Sequence, residues 1–415
     1  MKPKLFTRNF TLLILGQISS LIGNLTLKFA LSMYVLEQTG SASIFAGLLA
    51  LSMLPTILLS PFGGILADRA NRRNIMVALD ALSGLSVLAA GIALPSGPKL
   101  PVIAALLLIL SVLGAFESPT VQACIPQMLA GENLIKGNAV VNQVASVASF
   151  ITPFLGSVFY TAFGIGPAFY AAVACFWVTA LLECFIRLDY KKTEDKKRIG
   201  TIIKEDFSVS MRFLHREQPG IMKLLLLAAA VSLFVAGTAV VGFPYLVLTV
   251  LGLSATHYGI AESAMGIASI LGSLCVVIMA PNLRPHHLVI VLLSFGVCLL
   301  PCGIAFLLPL DTFARYLILL IMFCACQLGC SFFSTYAISI IQERTPERLM
   351  GKVMSYVFTL SMCAQPAGQI IYGALFDQFS DSVCLVLIPS GLIVCMISLA
   401  SSGFFRKFER QGMAR

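Results

Sequence analysis

Apolar residues fall into twelve long runs along the chain, separated by short breaks that carry charge, Pro or Gly. The runs are 9–37, 43–67, 74–94, 101–123, 137–163, 165–187, 221–251, 255–280, 287–308, 312–341, 352–376 and 382–404. Each reaches about 20 residues or more, the length a helix needs to cross a bilayer. Nothing alternates polar and apolar as a barrel strand would, and lipid offers backbone groups no partners, so helices are the expected form. The first run follows Lys2, Lys4 and Arg8 but is too long for a cleaved leader, and is expected to remain as a span. One long polar stretch, Leu188 to Gly220, divides the runs into six and six. The pattern therefore predicts an all-α polytopic membrane protein with twelve transmembrane helices in two six-helix, pseudo-symmetric bundles. The first bundle is expected over 1–187, a cytoplasmic linker over 188–220, and the second bundle with a cytoplasmic tail over 221–415. Within the linker, Ile203, Phe207, Met211 and Leu214 recur at the spacing of a short amphipathic helix lying on the membrane surface; the alternative, from its charge density, is a partly disordered linker.

Composition agrees with lipid as the solvent. Of 415 residues, 58% are apolar and 11% charged, too few charges to clothe a water-soluble domain. A soluble enzyme, a nucleic-acid binder and a disordered scaffold are all excluded on this ground. With twelve spans, both termini share one side with the loops after spans 2, 4, 6, 8 and 10. Every Lys and Arg except Lys28, Lys99 and Arg315 falls on that side, which the positive-inside rule makes cytoplasmic. This explains the net charge of +9 without nucleic acid. The twelve cysteines lie almost entirely inside apolar runs and form no C-x-x-C pair; they read as packing residues, with no metal site and no disulfide framework.

The break between spans 2 and 3 reads Gly64-Ile65-Leu66-Ala67-Asp68-Arg69-Ala70-Asn71-Arg72-Arg73. Its acid can face a helix N-terminus and its arginines can meet carboxylates or lipid phosphates. The pattern of Gly64, Leu66, Asp68, Arg69, Arg72 and Arg73 resembles the hallmark loop of the major facilitator superfamily, and the six-plus-six layout resembles that superfamily over essentially the whole chain. The resemblance implies a gating role in which Asp68 faces the start of span 11 near Gly351 and Lys352. Asn71 stands where the motif usually has glycine, a position at which Asn also tolerates a left-handed turn. After span 8 the copy of this loop, Pro281 to Pro285, is nearly unrecognisable. Gly16-Gln17 with Ser20 and Gly23, Thr39-Gly40-Ser41-Ala42, Pro55 with Pro61, Ile125-Pro126 and Thr345 to Lys352 resemble one branch, that of macrolide-efflux proteins and the enterobactin-type exporter. In span 5, Pro153 and Gly156 resemble parts of an antiporter motif. Pro153 and Pro366 are kink candidates, each followed by a Gly and then a Tyr.

Polar stripes on the spans are candidates for a water-facing path. Gln17, Ser20, Asn24 and Lys28 lie on one face of span 1. Gln327, Ser331 and Tyr336 mark span 10, and Gln365 marks span 11. Tyr34, Phe116 and Phe243 are aromatic lining candidates, suited to apolar or cationic cargo. The resemblance implies that spans 1, 4, 7 and 10 line the cavity. Lys28, Glu117 and Glu262 fall well inside runs, where an ionised residue costs roughly 3 kcal/mol or more and usually faces a cavity or a partner. Counting depth along each span pairs Lys28 with Glu262, leaves Glu117 too far inward, and puts Asp80 with the basic loop.

These features predict a secondary exporter of amphipathic small molecules, of drug, macrolide or siderophore class, working by alternating access and exchanging cargo for protons at Glu117 or Glu262. A lysophospholipid transporter on the same fold and a non-transporting receptor or assembly protein are the alternatives. The expected partners are membrane lipids, the cargo and protons as coupling ion. No nucleic acid, cofactor or enzymatic step is expected: no Walker motif and no Ser/His/Asp-like arrangement is present. A monomer in a bacterial cytoplasmic membrane is expected.

Overall fold

A computed structural model describes residues 5–129, 132–188, 219–279, 283–345 and 347–413, with side chains at a subset of helix ends left out. These residues form twelve long helices. In the first half they are α1 (Arg8–Thr39), α2 (Ala42–Arg69), α3 (Arg72–Ala93), α4 (Lys99–Met128), α5 (Glu132–Phe163) and α6 (Ile165–Cys184). In the second they are α7 (Pro219–Val250), α8 (Ala255–Met279), α9 (His287–Leu307), α10 (Thr312–Arg344), α11 (Glu347–Gln378) and α12 (Cys384–Met413). Eleven are long and apolar enough to cross a membrane; the exception is α11, the helix that carries Gln365 and Gln369. The expected linker helix over 203–214 lies outside the described residues.

Local chemistry sets several boundaries. The Thr7 hydroxyl accepts from the Phe10 amide and starts α1, and Gly40 ends it in a left-handed conformation (φ 60°), its amide donating to Leu36 O. Asn71, at the motif's usual glycine position, does not use the left-handed turn that Asn tolerates. At φ −69° it is extended, and its side chain caps α3 by accepting from the Asn74 amide. The helices run without a break through Pro153 and Pro366, both buried. α7 is not the uniform helix its apolar run predicts. Around Pro244 it loosens into two π-helical stretches, Ala236–Gly242 and Leu246–Val250, because proline lacks the amide that a regular ladder needs.

Packing divides the chain into two compact units. One comprises Met1–Gly40, Leu48–Asp195 and Ser254–Ser263; the other Ser41–Gly47, Lys196–Leu253 and Ala264–Arg415. In the first unit, α1 packs on α5 and α6, and α3 on α4 and α6. In the second, α7 packs on α11, and α9 on α10 and α12. Small residues bring these helices together. A Cβ on Gly156 would lie 3.3 Å from Phe29 of α1, and Gly368 sits against the Leu233 backbone of α7. The tyrosines that follow each glycine then bond differently: Tyr160 donates to Glu37 (2.6 Å) and Tyr372 to Ser390 (2.6 Å).

Within the second unit the first turn of α2 is held by Asp377 at the end of α11. The carboxylate accepts from the Ser41 hydroxyl (2.6 Å) and from the amides of Ala42 (2.6 Å) and Ser43 (3.0 Å), the arrangement expected of an acid at a helix N-terminus. Burial alone would push this carboxyl up. The hydrogen bonds from Ser41, Ser43 and Ala42 outweigh it and hold the group below the usual carboxylate range.

Candidate transport site

The polar stripe of α1 meets buried charge in the first unit. Two glycines on α1 set the approach of α6: a Cβ on Gly16 would lie 3.3 Å from Thr179, and one on Gly23 would lie 2.6 Å from the Cys175 Cβ. Across this seam the Thr179 hydroxyl donates to Gly16 O (3.0 Å) and Ser19 to Cys175 O (2.9 Å). The close approach puts Ser20 against α3, where its hydroxyl donates to Asp80 Oδ1 at 3.2 Å. Asp80 is fully buried, and Glu183 on α6, itself 1% exposed, lies within electrostatic reach of it. Glu117 of α4 lies within electrostatic reach of both acids and of Lys28. Among the described residues no three His, Cys, Asp or Glu side chains are placed to hold a metal ion.

This arrangement corrects three expectations. Lys28 is paired with Glu117, not Glu262. Depth counting put the two roughly seven residues apart, about 10 Å along straight helices, which helix tilt and the long lysine side chain make up. Glu262 instead contacts the hydroxyl of Tyr258 one turn earlier, and the Tyr258 ring stacks on Phe29 at 5.4 Å. Asp80 is not part of the basic loop network. Glu183, one residue from the end of its helix, was not singled out at all.

The loop between α2 and α3 holds helix ends. Arg72 donates from Nε to Ala67 O (2.7 Å) and from Nη1 to Ala123 O (2.7 Å), and Arg73 donates to Cys184 O. Two cations thus meet carbonyls near the C-terminal ends of α2, α4 and α6, where the helix dipole favours positive charge. Leu66 is exposed. The side chains of Asp68 and Arg69, position Gly64, and Gly351 with Lys352 lie outside the described side chains, as does the contact expected between them.

The other lining candidates separate. Gln17 and Asn24 are half-buried, each with a buried polar atom (Nε2 and Oδ1) that no protein group meets. Phe116 is half-buried. Tyr34 sits under the Lys99 ammonium, 5.8 Å from its ring centre. In the second unit, α7, α10 and α11 enclose a cavity of about 310 Å³. Its wall is apolar, from Leu225, Val231 and Phe333 among others, with Ser232, Ser334, Ser361 and Gln365 as polar points. Gln365 is thus a lining residue. Phe243 is not: it has no exposed surface and packs on Phe323 at 4.8 Å. Ser331 is tied to Ser273 of α8 (2.6 Å), Tyr336 packs on the core of the unit, and Gln327 is half-buried.

Comparison with known proteins places this architecture. The sequence profile described as Major Facilitator Superfamily matches residues 13–369. Macrolide efflux protein A of Streptococcus pyogenes is 24% identical over 398 residues, covering 92% of each chain. The enterobactin exporter EntS of Salmonella choleraesuis (strain SC-B67) is 23% identical over 355 residues, covering 84% of this chain and 81% of the exporter. The crystal structure of the nucleoside transporter NupG superposes with a TM-score of 0.72 at 12% identity, covering 95% of this chain and 99% of that one. A many-span bundle, a matching profile along most of its length and exporters as relatives lead to one conclusion: the chain belongs to the Major Facilitator Superfamily, whose members are membrane transporters and not enzymes.

Proposed function

We propose that this protein exports amphipathic small molecules across a bacterial cytoplasmic membrane, as a monomer with both termini cytoplasmic, in exchange for protons. One observation carries the coupling: Glu117, inside an apolar bundle, lies within electrostatic reach of the Lys28 ammonium. A carboxyl beside a cation has two compensated states, ionised with Lys28 near or protonated with Lys28 away. Moving one charge across the membrane supplies about 2.3 kcal/mol per 100 mV, enough to bias alternation between two half-bundles. The cargo reading rests on the apolar cavity of the second unit with its few hydroxyl and amide points, and on relatives whose names specify macrolides and enterobactin.

The test is flux in proteoliposomes with and without a pH gradient, using a macrolide and a catecholate siderophore as probes. The wild type is expected to accelerate at least tenfold with the gradient, and Glu117→Gln to lose that acceleration while still binding the probe. Gradient-driven export that is unchanged in Glu117→Gln would overturn the coupling.

A further inference from the structure

A hydroxyl inside a helical bundle commonly donates to a carbonyl of its own helix, for want of another acceptor. In the second unit Thr238 of α7 does so to Phe234 O (2.7 Å), Ser339 of α10 to Thr335 O (2.8 Å) and Ser390 of α12 to Val386 O (2.6 Å). Ser232 of α7, Ser334 of α10 and Ser361 of α11 do not. All three line the cavity of about 310 Å³, and none has a hydrogen-bond partner among the described residues. Gln365, one turn after Ser361 on the same face of α11, also lines it and is equally unengaged. Three helices therefore bring four neutral polar side chains, their bonding capacity unused, to one apolar-walled space. Among the described residues that line it, none is Lys, Arg, His, Asp or Glu, and the Cys330 thiol is the one group able to ionise.

We infer that Ser232, Ser334, Ser361 and Gln365 determine specificity by charge: they hold an uncharged, oxygen-bearing face of the ligand, made of ester, ether or hydroxyl groups, and they exclude anions. Each serine hydroxyl donates one hydrogen bond, and the Gln365 amide donates two while accepting at its oxygen. The set matches carbonyl and hydroxyl groups spread over an otherwise apolar molecule. A carboxylate or catecholate entering the same space would lose its water and meet no cation, and an unpaired buried charge costs far more than an unpaired dipole. The volume lies at the small end of the range that takes drug-sized ligands, so a larger cargo would place only its neutral face there and keep any charged group outside. Transport of what binds rests on the export reading above; the binding chemistry rests on the cavity alone.

N-Dansyl-phenylalanine and its methyl ester test the selection, because they differ by one negative charge and little else. In fluorescence titrations of the full chain in lipid nanodiscs at neutral pH, with empty nanodiscs as the blank, the ester is expected to bind at least about tenfold tighter than the acid. Gln365→Leu keeps the bulk of the side chain without its amide. It is expected to weaken the ester about tenfold while the thermal unfolding temperature stays at or above the wild-type value, since Gln365 bonds no protein group. Ser334→Lys adds a cation to the wall and is expected to close or reverse the gap between acid and ester. Equal binding of the two probes by the wild type, no saturable binding of the ester, or a gap unchanged in a folded Ser334→Lys variant overturns the selection. So does a Gln365→Leu variant with unchanged ester affinity, or one that loses stability along with affinity, because the amide would then serve packing. If the ester binds as stated but proteoliposomes show no flux of it, the export reading fails and the selection stands.

Discussion

The packing of α3 on α6 in the first unit has its counterpart in α9 on α12 in the second, and the two seams are made of different chemistry. In the first, Asp80 and Glu183 face each other across the seam. In the second, a Cβ on Gly296 would lie 2.5 Å from Gly391 O and 2.8 Å from the Cys395 amide nitrogen, and Ser398 donates to Val289 O at 2.7 Å. Close approach of small residues joins two membrane helices without any charge. The acids of the first unit are therefore not what packing demands, and their presence in an apolar bundle points to chemistry. The second unit offers shape instead, a cavity walled mostly by apolar side chains.

The sharpest way to break this contrast is to disturb both seams alike. Gly296→Val places a branched side chain against backbone, which cannot swing aside, and is expected to cost about 3 kcal/mol. The isosteric Asp80→Asn keeps volume and a hydrogen-bonding pair, and is expected to cost about 1 kcal/mol or less. Thermal unfolding of both variants in the same detergent ranks them; the reverse order would mean that charge, not shape, holds the bundles together. Next in size is the cavity. Ser334→Trp fills it from α10, and apparent affinity for a bulky probe is expected to fall about tenfold, roughly 1.4 kcal/mol. Wild-type affinity in a titration would move the cargo site out of the second unit.

A smaller effect concerns Asp377, whose hydrogen bonds fasten the first turn of α2. Asp377→Ala is expected to cost about 1 kcal/mol, as the loss of a helix cap does. Its pH dependence has a definite sign. The carboxyl is held below its ordinary range by Ser41, Ser43 and Ala42 against the opposing effect of burial. The stabilisation is complete at neutral pH, above the unfolded value, and fades in acid as the pH falls through the folded value. Hydrogen exchange at the Ala42 and Ser43 amides should accelerate in acid relative to a neighbouring turn, and in Asp377→Ala the extra acceleration should vanish.

How much of this was readable in advance differs between fold and site for a physical reason. Lipid forces each span to be a continuous apolar helix, so the runs locate all twelve helices, most ends within about five residues; the largest shift is α12, which continues to Met413 rather than 404 because its last turns are polar. Sites depend on which helix covers which, and depth counting is blind to that. Asp80 lies two turns into α3 and Glu183 beside the end of α6, so both look interfacial; only the neighbouring helices make them buried. The glycines of α1 and the Ser83-Gly84 pair on α3 were the available signal, since small residues next to an acid mark a face on which another helix will close. Phe243 lies beside Pro244 between two π-helical stretches, where regular 3.6-residue counting no longer applies.

The smallest effect tests whether the polar stripes of the two units differ in kind. In the first unit Gln17 Nε2 and Asn24 Oδ1 are buried and meet no protein partner, which leaves their hydrogen-bonding capacity unspent. In the second, Ser331 is engaged by Ser273, which also receives the Thr335 hydroxyl at 3.3 Å. A hydroxyl used between α10 and α8 in this way contributes about 0.6 kcal/mol and is held between two helices. Ser331→Ala is therefore expected to lower thermal stability by that small amount and leave flux alone, whereas Asn24→Ala should lower flux and leave stability alone. Measuring stability and flux on the two variants together decides it: a Ser331→Ala variant that loses flux at unchanged stability would put the second stripe in the transport path, and the contrast between a chemical unit and a shape-providing unit would fall.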